Sequence, residues 1–426
     1  MATQNPFQVG TTDAVQGGPQ AATEGTEEIP STFREPLTRL LPVPKTEEEK
    51  DAAQTTDYVS WTDENWENNP RNFEYDEHAK LGDVISLQDA EDRWFTAWER
   101  PFKLPNGLEL TYGQINGLAG DFYGTIDPIS STDDSSEQAT RFLRAWNWLA
   151  VDTSRNPREA KELLDLLQEE VDAVAKALRA GEDPSTAYEK LPGALEMGAK
   201  FQSVTVSRPK EAPGFYGLAL INFDHFGADA RKAYNAGHHE ALKLAAQGKP
   251  EHLILAYAMN AFADHFLEDS FAAGHMRVPR RILSTGYQTQ YFAKVMHDED
   301  NAIGLEVRNP AGESWRAYGD KRLLDEVDHE NKNRCWNALR ASVDEIHEAW
   351  KSGVVPDKST FKAWEHAPTL ESVFGHQELA PLFTPQGERR EDISDRRTWK
   401  FISDWTEFGT SAKIYSSNIF DYPIHM

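Results

Sequence analysis

The stretch AYAMNAFADHFLEDSFAAGHMRVPRR, residues 256–281, constrains this chain more than any other. Its first half is an apolar run rich in alanine and aromatics, the composition of a helix that belongs in a core. Out of it come His265 and Asp269, four residues apart and therefore on one helical face. A Ser-Phe-Ala-Ala-Gly segment follows, and then His275. Gly274 is expected to end the helix in a left-handed turn, swinging His275 back toward Asp269. A carboxylate between two imidazoles is a ligand set that suits zinc, and it can bind one ion or bridge two. The plainer reading of the same residues is a buried histidine in a core helix, with Asp269 on its rim. Three ligand-type residues in so apolar a segment favour the metal.

The rest of the composition narrows what that metal can be held by. Cys335 is the single cysteine, which excludes an intramolecular disulfide framework and any cysteine-rich zinc site. Ligands must therefore come from the 13 histidines and from Asp and Glu. A formal charge of −26 disfavours long polyanionic substrates, because a nucleic-acid binder needs a basic surface. It also makes zwitterionic membranes a more natural surface than anionic ones. The opening MATQNPFQVGTTDAVQGG has neither a basic start nor an apolar signal core, and no transmembrane segment is visible. The expectation is a soluble, cytoplasmic protein, with export by a route lacking a cleaved signal left open.

Periodicity predicts a mainly α protein with a small β-hairpin. Residues 1–55 are polar and rich in Thr, Gln, Gly, Pro and Glu, and read as an acidic, disordered or extended N-terminal tail. From Asp57 the aromatics Tyr58, Trp61, Trp66 and Phe73 announce packed structure, and a main domain is expected over 56–353. Thr111 is placed to cap a short apolar helix that ends at Gly120-Asp121-Phe122-Tyr123-Gly124. Apolar recurrence at three and four residues predicts helices over 137–151, 156–180 and about 185–200. Further helices are expected over about 229–246, from Pro250 onward, over 288–301 and over 322–351. The alternation in 304–319, with its Asn-Pro-Ala-Gly turn, reads as the hairpin. Residues 354–426 are expected to pack on the main domain as an extension.

Other ligand-type residues are scattered around this frame. His78 lies among acids, and Asp121 sits on a glycine-flanked turn, where an aspartate is commonly only a cap. His225 stands at a helix entry, a good ligand position. His238 and His239 lie inside a helix and project about 100° apart, so at most one can face a site, and both read as structural or as supports behind the ligands. His297 closes another helix together with Asp298, Asp300 and Asn301. Arg277, Arg280 and Arg281 form a basic cluster that either binds phosphate or pairs with acids. No Gly-x-Ser-x-Gly elbow and no Walker-type phosphate loop is present. All-His/Asp ligation with a bridging carboxylate points to a multi-zinc hydrolase core, which suits displacement at phosphorus.

His265-x3-Asp269-x5-His275 resembles the central motif of the zinc-dependent phospholipase C and single-strand nuclease superfamily, mainly α-helical proteins with zinc in a cleft. The wider context, HFLEDSFAAGHMRVPR with MHDEDN and GLEVRN downstream, is most similar to its bacterial and fungal branch typified by the Pseudomonas and Legionella zinc metallophospholipases C. The resemblance covers roughly 74–124 and 221–320, with the helices around 137–200 as an insertion. It implies two or three zinc ions held by His78, Asp121, His225, His265, Asp269, His275 and His297, with Asp269 bridging two of them. The family places an acid four residues after His297, where this chain has Asn301, so Asp300 or Asp298 is expected to substitute. Its N-terminal tryptophan ligand has no counterpart here unless processing exposes Trp61 or Trp66.

The function the resemblance implies is a phospholipase C. It would act at a membrane or micelle surface, cleaving phosphatidylcholine-like lipids to diacylglycerol and a phosphorylated headgroup, with Asp121 assisting the attacking water. Phe122, Tyr123, Phe226 and Phe266 either line its pocket or pack in the core. The rivals are a single-strand nuclease on the same zinc core and a non-enzymatic helical binding protein. Headgroup preference and oligomeric state are left open by the sequence.

Overall fold

The structure, a computed structural model, describes residues 75–188, 194–375 and 377–417. The readings for the tail 1–55 and for Tyr58, Trp61, Trp66 and Phe73 lie outside the described residues. Within them the protein is mainly α-helical, with strands only in two-stranded antiparallel pairs. Helix α1 spans Tyr75–Asp83 and is followed by two such pairs, β1 (Ser86–Gln88) with β2 (Trp94–Thr96), and β3 (Phe102–Lys103) with β4 (Glu109–Leu110). Helix α2 (Tyr112–Leu118) starts at Thr111, whose hydroxyl accepts from the Gln114 amide while the Gln114 side chain accepts from the Thr111 amide. Helices α3 (Ser135–Ala150), α4 (Arg158–Arg179), α5 (Ser185–Tyr188), α6 (Ala194–Thr205) and α7 (Phe215–Leu220) follow.

The core is built on the next pair, α8 (Gly227–Ala245) and α9 (Pro250–Glu268), which pack together along their lengths. Proline at the first position of α9 is pre-set for a helix start. Every residue from His252 to Glu268 is buried, so α9 is covered on all sides. A helix buried all round has no solvent face to offer, and α2, α8 and α12 (His329–Ser352) pack around it. Helix α3 is also part of this core, because Phe142 and Trp146 pack edge-on against Phe262. Polar groups in the middle of α9 find partners on the helices packed around it. Asp264 accepts from the Tyr112 hydroxyl at 2.7 Å and the Ser342 hydroxyl at 2.8 Å, and Asn260 Oδ1 lies 2.6 Å from His238 Nδ1. His238 is thus structural, as its place inside α8 implies.

After α9 a 3-10 turn, Asp269–Phe271, leads into the short helix α10 (Ala273–Met276), and then α11 (Tyr287–Ile303). Gly274 does not form the left-handed turn expected of it: it lies inside α10, and the chain is redirected by the 3-10 turn and extended Ala272. Its lack of a side chain serves packing instead, since a Cβ there would sit 2.6 Å from Asn301 Oδ1. The hairpin β5 (Leu305–Arg308) and β6 (Ser314–Ala317) pairs Leu305 with Ala317 and Val307 with Trp315, its buried and exposed residues alternating. Leu382, Phe383, Ile393 and Ile414 share a buried cluster with Phe226 and Phe292. Arg390 and Arg396 reach Glu299 on α11, so the C-terminal segment braces that helix.

Candidate metal centre

Where α9 meets the 3-10 turn, side chains from seven places in the chain converge. His265 is on the last turn of α9, and Asp269 follows it four residues on. His225 ends a 3-10 turn just before α8, Asp121 sits on the turn after α2, and His78 projects from α1. His275 comes from α10, and His297 from α11. His225 Nδ1 lies 3.2 Å from His265 Nε2 and 3.0 Å from Asp269 Oδ2, and His265 Nε2 lies 3.8 Å from that oxygen. Asp121 Oδ1 is 3.9 Å from His225 Nε2, and its side chain is about half exposed (48%) at the rim. The rings of His78 and His265 are 4.2 Å apart.

A second cluster adjoins the first. His275 Nδ1 is 2.8 Å from Asp269 Oδ1, while His275 Nε2 and His297 Nε2 approach Asp320 Oδ2 at 3.2 and 3.0 Å. Among the described residues, four groupings have donor atoms close enough to hold a cation. They are His78, His265 and Asp269; Asp121, His225 and His265; His225, Asp269 and His275; and His275, His297 and Asp320.

Four of the five imidazoles share one device. His78 Nδ1 faces Glu268 Oε2 at 2.5 Å, and His265 Nδ1 faces the main-chain oxygen of Asn116 at 3.0 Å. His275 Nδ1 is shared between the His225 main-chain oxygen and Asp269, and His297 Nδ1 faces Asp298 at 3.0 Å. With Nδ1–H donating in each case, a neutral ring would turn its Nε2 lone pair toward a cation, the arrangement found around metal-ligating histidines.

Two observations test whether these residues fit a cation. Asp269 Oδ2 is buried without a hydrogen bond of good geometry, and a buried carboxylate oxygen left so is costly unless positive charge meets it. Gly120 adopts φ of +64°, and a Cβ there would come within 2.6 Å of the His225 ring and 2.8 Å of His265 Nε2. A glycine is therefore required on two counts, and the space it leaves lies against the ligand atoms. The donor set of imidazoles and carboxylates suits zinc.

The electrostatics follow from the same contacts. Burial would raise the Asp269 carboxyl, but the imidazoles of His225, His275 and His265 outweigh it and hold it well below the usual carboxylate range. Burial takes the His265 imidazole well below its ordinary value, with His78 adding to the effect. Burial also pulls His78 down, but the Glu268 hydrogen bond and charge prevail and raise it to about 9. Against burial, His275 and His297 hold Asp320 well below the ordinary value.

Seven of the eight expected ligands meet here, and Asp300 is the exception. Both its oxygens are engaged by Arg277, at 2.8 and 2.6 Å, and both residues are buried. Asp298 does not replace it, being tied to His297 Nδ1 and Lys294. The carboxylate beside His275 and His297 is Asp320, at the exit of the β5–β6 hairpin. Asn301 packs between Gly274 and Gly319, with Oδ1 accepting from the Gly274 amide at 2.5 Å. The Arg cluster separates as well: Arg277 pairs with Asp300 and Arg281 with Asp229, while Arg280 donates to Asn222 and the Ala219 carbonyl. Phe122, Tyr123, Phe226 and Phe266 are buried, Phe226 stacking on His275 and Phe266 lying edge-on to His225 and His265.

One cavity at the centre is walled by His78, Glu268, Asp269, Tyr318 and Asp320, and another by Gly120, Tyr123, Leu218, Asn222 and His225. No described helix is long and apolar enough to cross a membrane. Comparison of the chain with family models, with curated proteins and with solved structures gives no match.

Proposed function

We propose that the chain is a zinc-dependent phosphodiester hydrolase of the phospholipase C type, acting on phosphatidylcholine-like lipids. The observation that carries the reading is the gathering of His78, Asp121, His225, His265 and Asp269 beside His275, His297 and Asp320, around a buried Asp269 oxygen that has imidazole neighbours but no hydrogen bond of good geometry. Zinc supplies Lewis acidity at phosphoryl oxygens and makes water a better nucleophile at neutral pH. Asp121, at the exposed rim, accepts the proton of the attacking water as its oxygen bonds to phosphorus. The bond from phosphorus to the glycerol oxygen breaks, and that oxygen takes up a proton from solvent to leave as diacylglycerol, Asp121 returning its own proton to solvent.

The substrate class rests on the surface beside Asp121. From Ala212 to Phe223 the sequence APGFYGLALINF contains no charged residue, in a chain of net charge −26. Helix α7 exposes Tyr216 (45%) and Leu220 (52%), which share a face at four-residue spacing. Phe215 stacks on Phe122, next to Asp121, and the run ends two residues before His225. An exposed apolar face adjoining the centre fits the acyl region of a lipid.

Three measurements on the purified protein test this: zinc content, release of phosphorylated headgroup from phosphatidylcholine, and cleavage of single-stranded DNA. Lipid hydrolysis abolished by a strong chelator and restored by zinc is expected, with His265→Ala inactive. Full activity in chelator defeats the zinc reading. Cleavage of DNA in preference to lipid replaces the lipase with a nuclease.

A further inference from the structure

Asn116 is buried in α2 at 0% exposure and reaches one candidate ligand, His265, directly and a second, His78, through Glu268. Its main-chain oxygen accepts from His265 Nδ1 at 3.0 Å, and its Nδ2 donates to Glu268 Oε1 at 2.7 Å. The other oxygen of Glu268 accepts from His78 Nδ1 at 2.5 Å. One connected path thus runs from His78 on α1 through Glu268 on α9 to Asn116 on α2, and from Asn116 to His265. Glu268 belongs to none of the groupings that could hold a cation, and it is 2% exposed.

We propose that Glu268 and Asn116 are positioning residues for the metal centre, locking His78 and His265 with Nε2 toward the ion. This rests on the zinc reading above. An imidazole on a single hydrogen-bond acceptor is fixed in both ring orientation and tautomer, and an anionic acceptor makes the other nitrogen a stronger ligand. The pairing explains why position 268 holds a glutamate. Two donors, an amide and an imidazole, converge on it, and a carboxylate has one oxygen for each. A glutamine there would have one oxygen for two donors, and its own NH2 would face the NH2 of Asn116.

The test is a reciprocal exchange read by zinc affinity, measured through competition with a chromophoric chelator. E268Q and N116D alone are each expected to weaken zinc binding roughly tenfold to a hundredfold. In the double variant E268Q/N116D the new amide's oxygen accepts from His78, and its NH2 donates to the new carboxylate at position 116. Most of the lost affinity is expected to return, a recovery that simple damage to the fold would not produce. Parental affinity in E268Q, or a double variant no better than the weaker single one, overturns the proposal. Where a glutamine variant does not fold, Glu268→Asp keeps both oxygens on a shorter stem. Weakened zinc binding is expected there too, and parental affinity again overturns the proposal. A parent protein that binds no zinc overturns the zinc reading itself, and this inference with it.

Discussion

Asp320 lies within reach of two imidazoles at one side of the centre, whereas the oxygens of Asp300 are closed off by Arg277. Asp320→Asn is therefore expected to lose about one equivalent of zinc in equilibrium dialysis, with a smaller fall in the urea midpoint of the zinc-free protein than Asp300→Asn gives. Asp300→Asn strands a buried guanidinium, which costs roughly 3–5 kcal/mol. It is expected to lower the urea midpoint sharply while keeping its zinc under native conditions. An Asp300 variant that loses zinc at an unchanged midpoint would restore that residue as the ligand. The sequence shows His265 and Asp269 as neighbours because four residues is one helical turn, a local geometry. Asp320 meets His297 only because the β5–β6 hairpin folds back onto α11, and nothing in the local pattern carries that closure. Glu268 is hidden for a related reason, since its partners His78 and Asn116 are placed by the packing of α1 and α2 on α9.

At the scale of elements, helices with a regular apolar stripe are legible and redirected segments are not. Helix α4 buries Leu163, Leu167, Val171 and Val174, and Gly181 stops it at φ of +68°. The hairpin is likewise marked by its alternation and by Gly312 at φ of +85°. The turn after α9 lacks such a mark: there is no proline or left-handed glycine at the redirection, and the segment is tied down by the Ala273 amide donating to the distant Tyr318 carbonyl. Helix α7 carries a prediction of its own. Replacing Tyr216 and Leu220 with serine removes two exposed apolar side chains, each worth about 1.5–3 kcal/mol when fully transferred from water. Hydrolysis of phosphatidylcholine vesicles is expected to fall at least tenfold, while a short-chain phosphatidylcholine below its micellar concentration is turned over at the parental rate. An equal loss on both substrates would mean that α7 supports the site instead of meeting the lipid.

For the molecule as a whole, the carboxylates gathered at the centre add to an acidic protein, and cations relieve both the local and the general repulsion. Zinc at a hundred times its dissociation constant is expected to stabilise the fold by about 2.7 kcal/mol per site. Scanning calorimetry should show a melting temperature that rises with free zinc and returns to the zinc-free value on chelation. A melting temperature indifferent to zinc would leave the Asp269 oxygen without the partner proposed for it.

The spread of the ligands from His78 to Asp320 also bears on the order in which the chain assembles. Closing loops of this length is entropically expensive, so an unfolded chain offers a cation little more than isolated side chains. The site comes into being only when α1, α2, α9 and the β5–β6 hairpin have docked. An ion arriving then enters a nearly finished fold, and its binding energy is absent from the folding transition state. Zinc would accordingly lengthen the lifetime of the native state without hastening its formation.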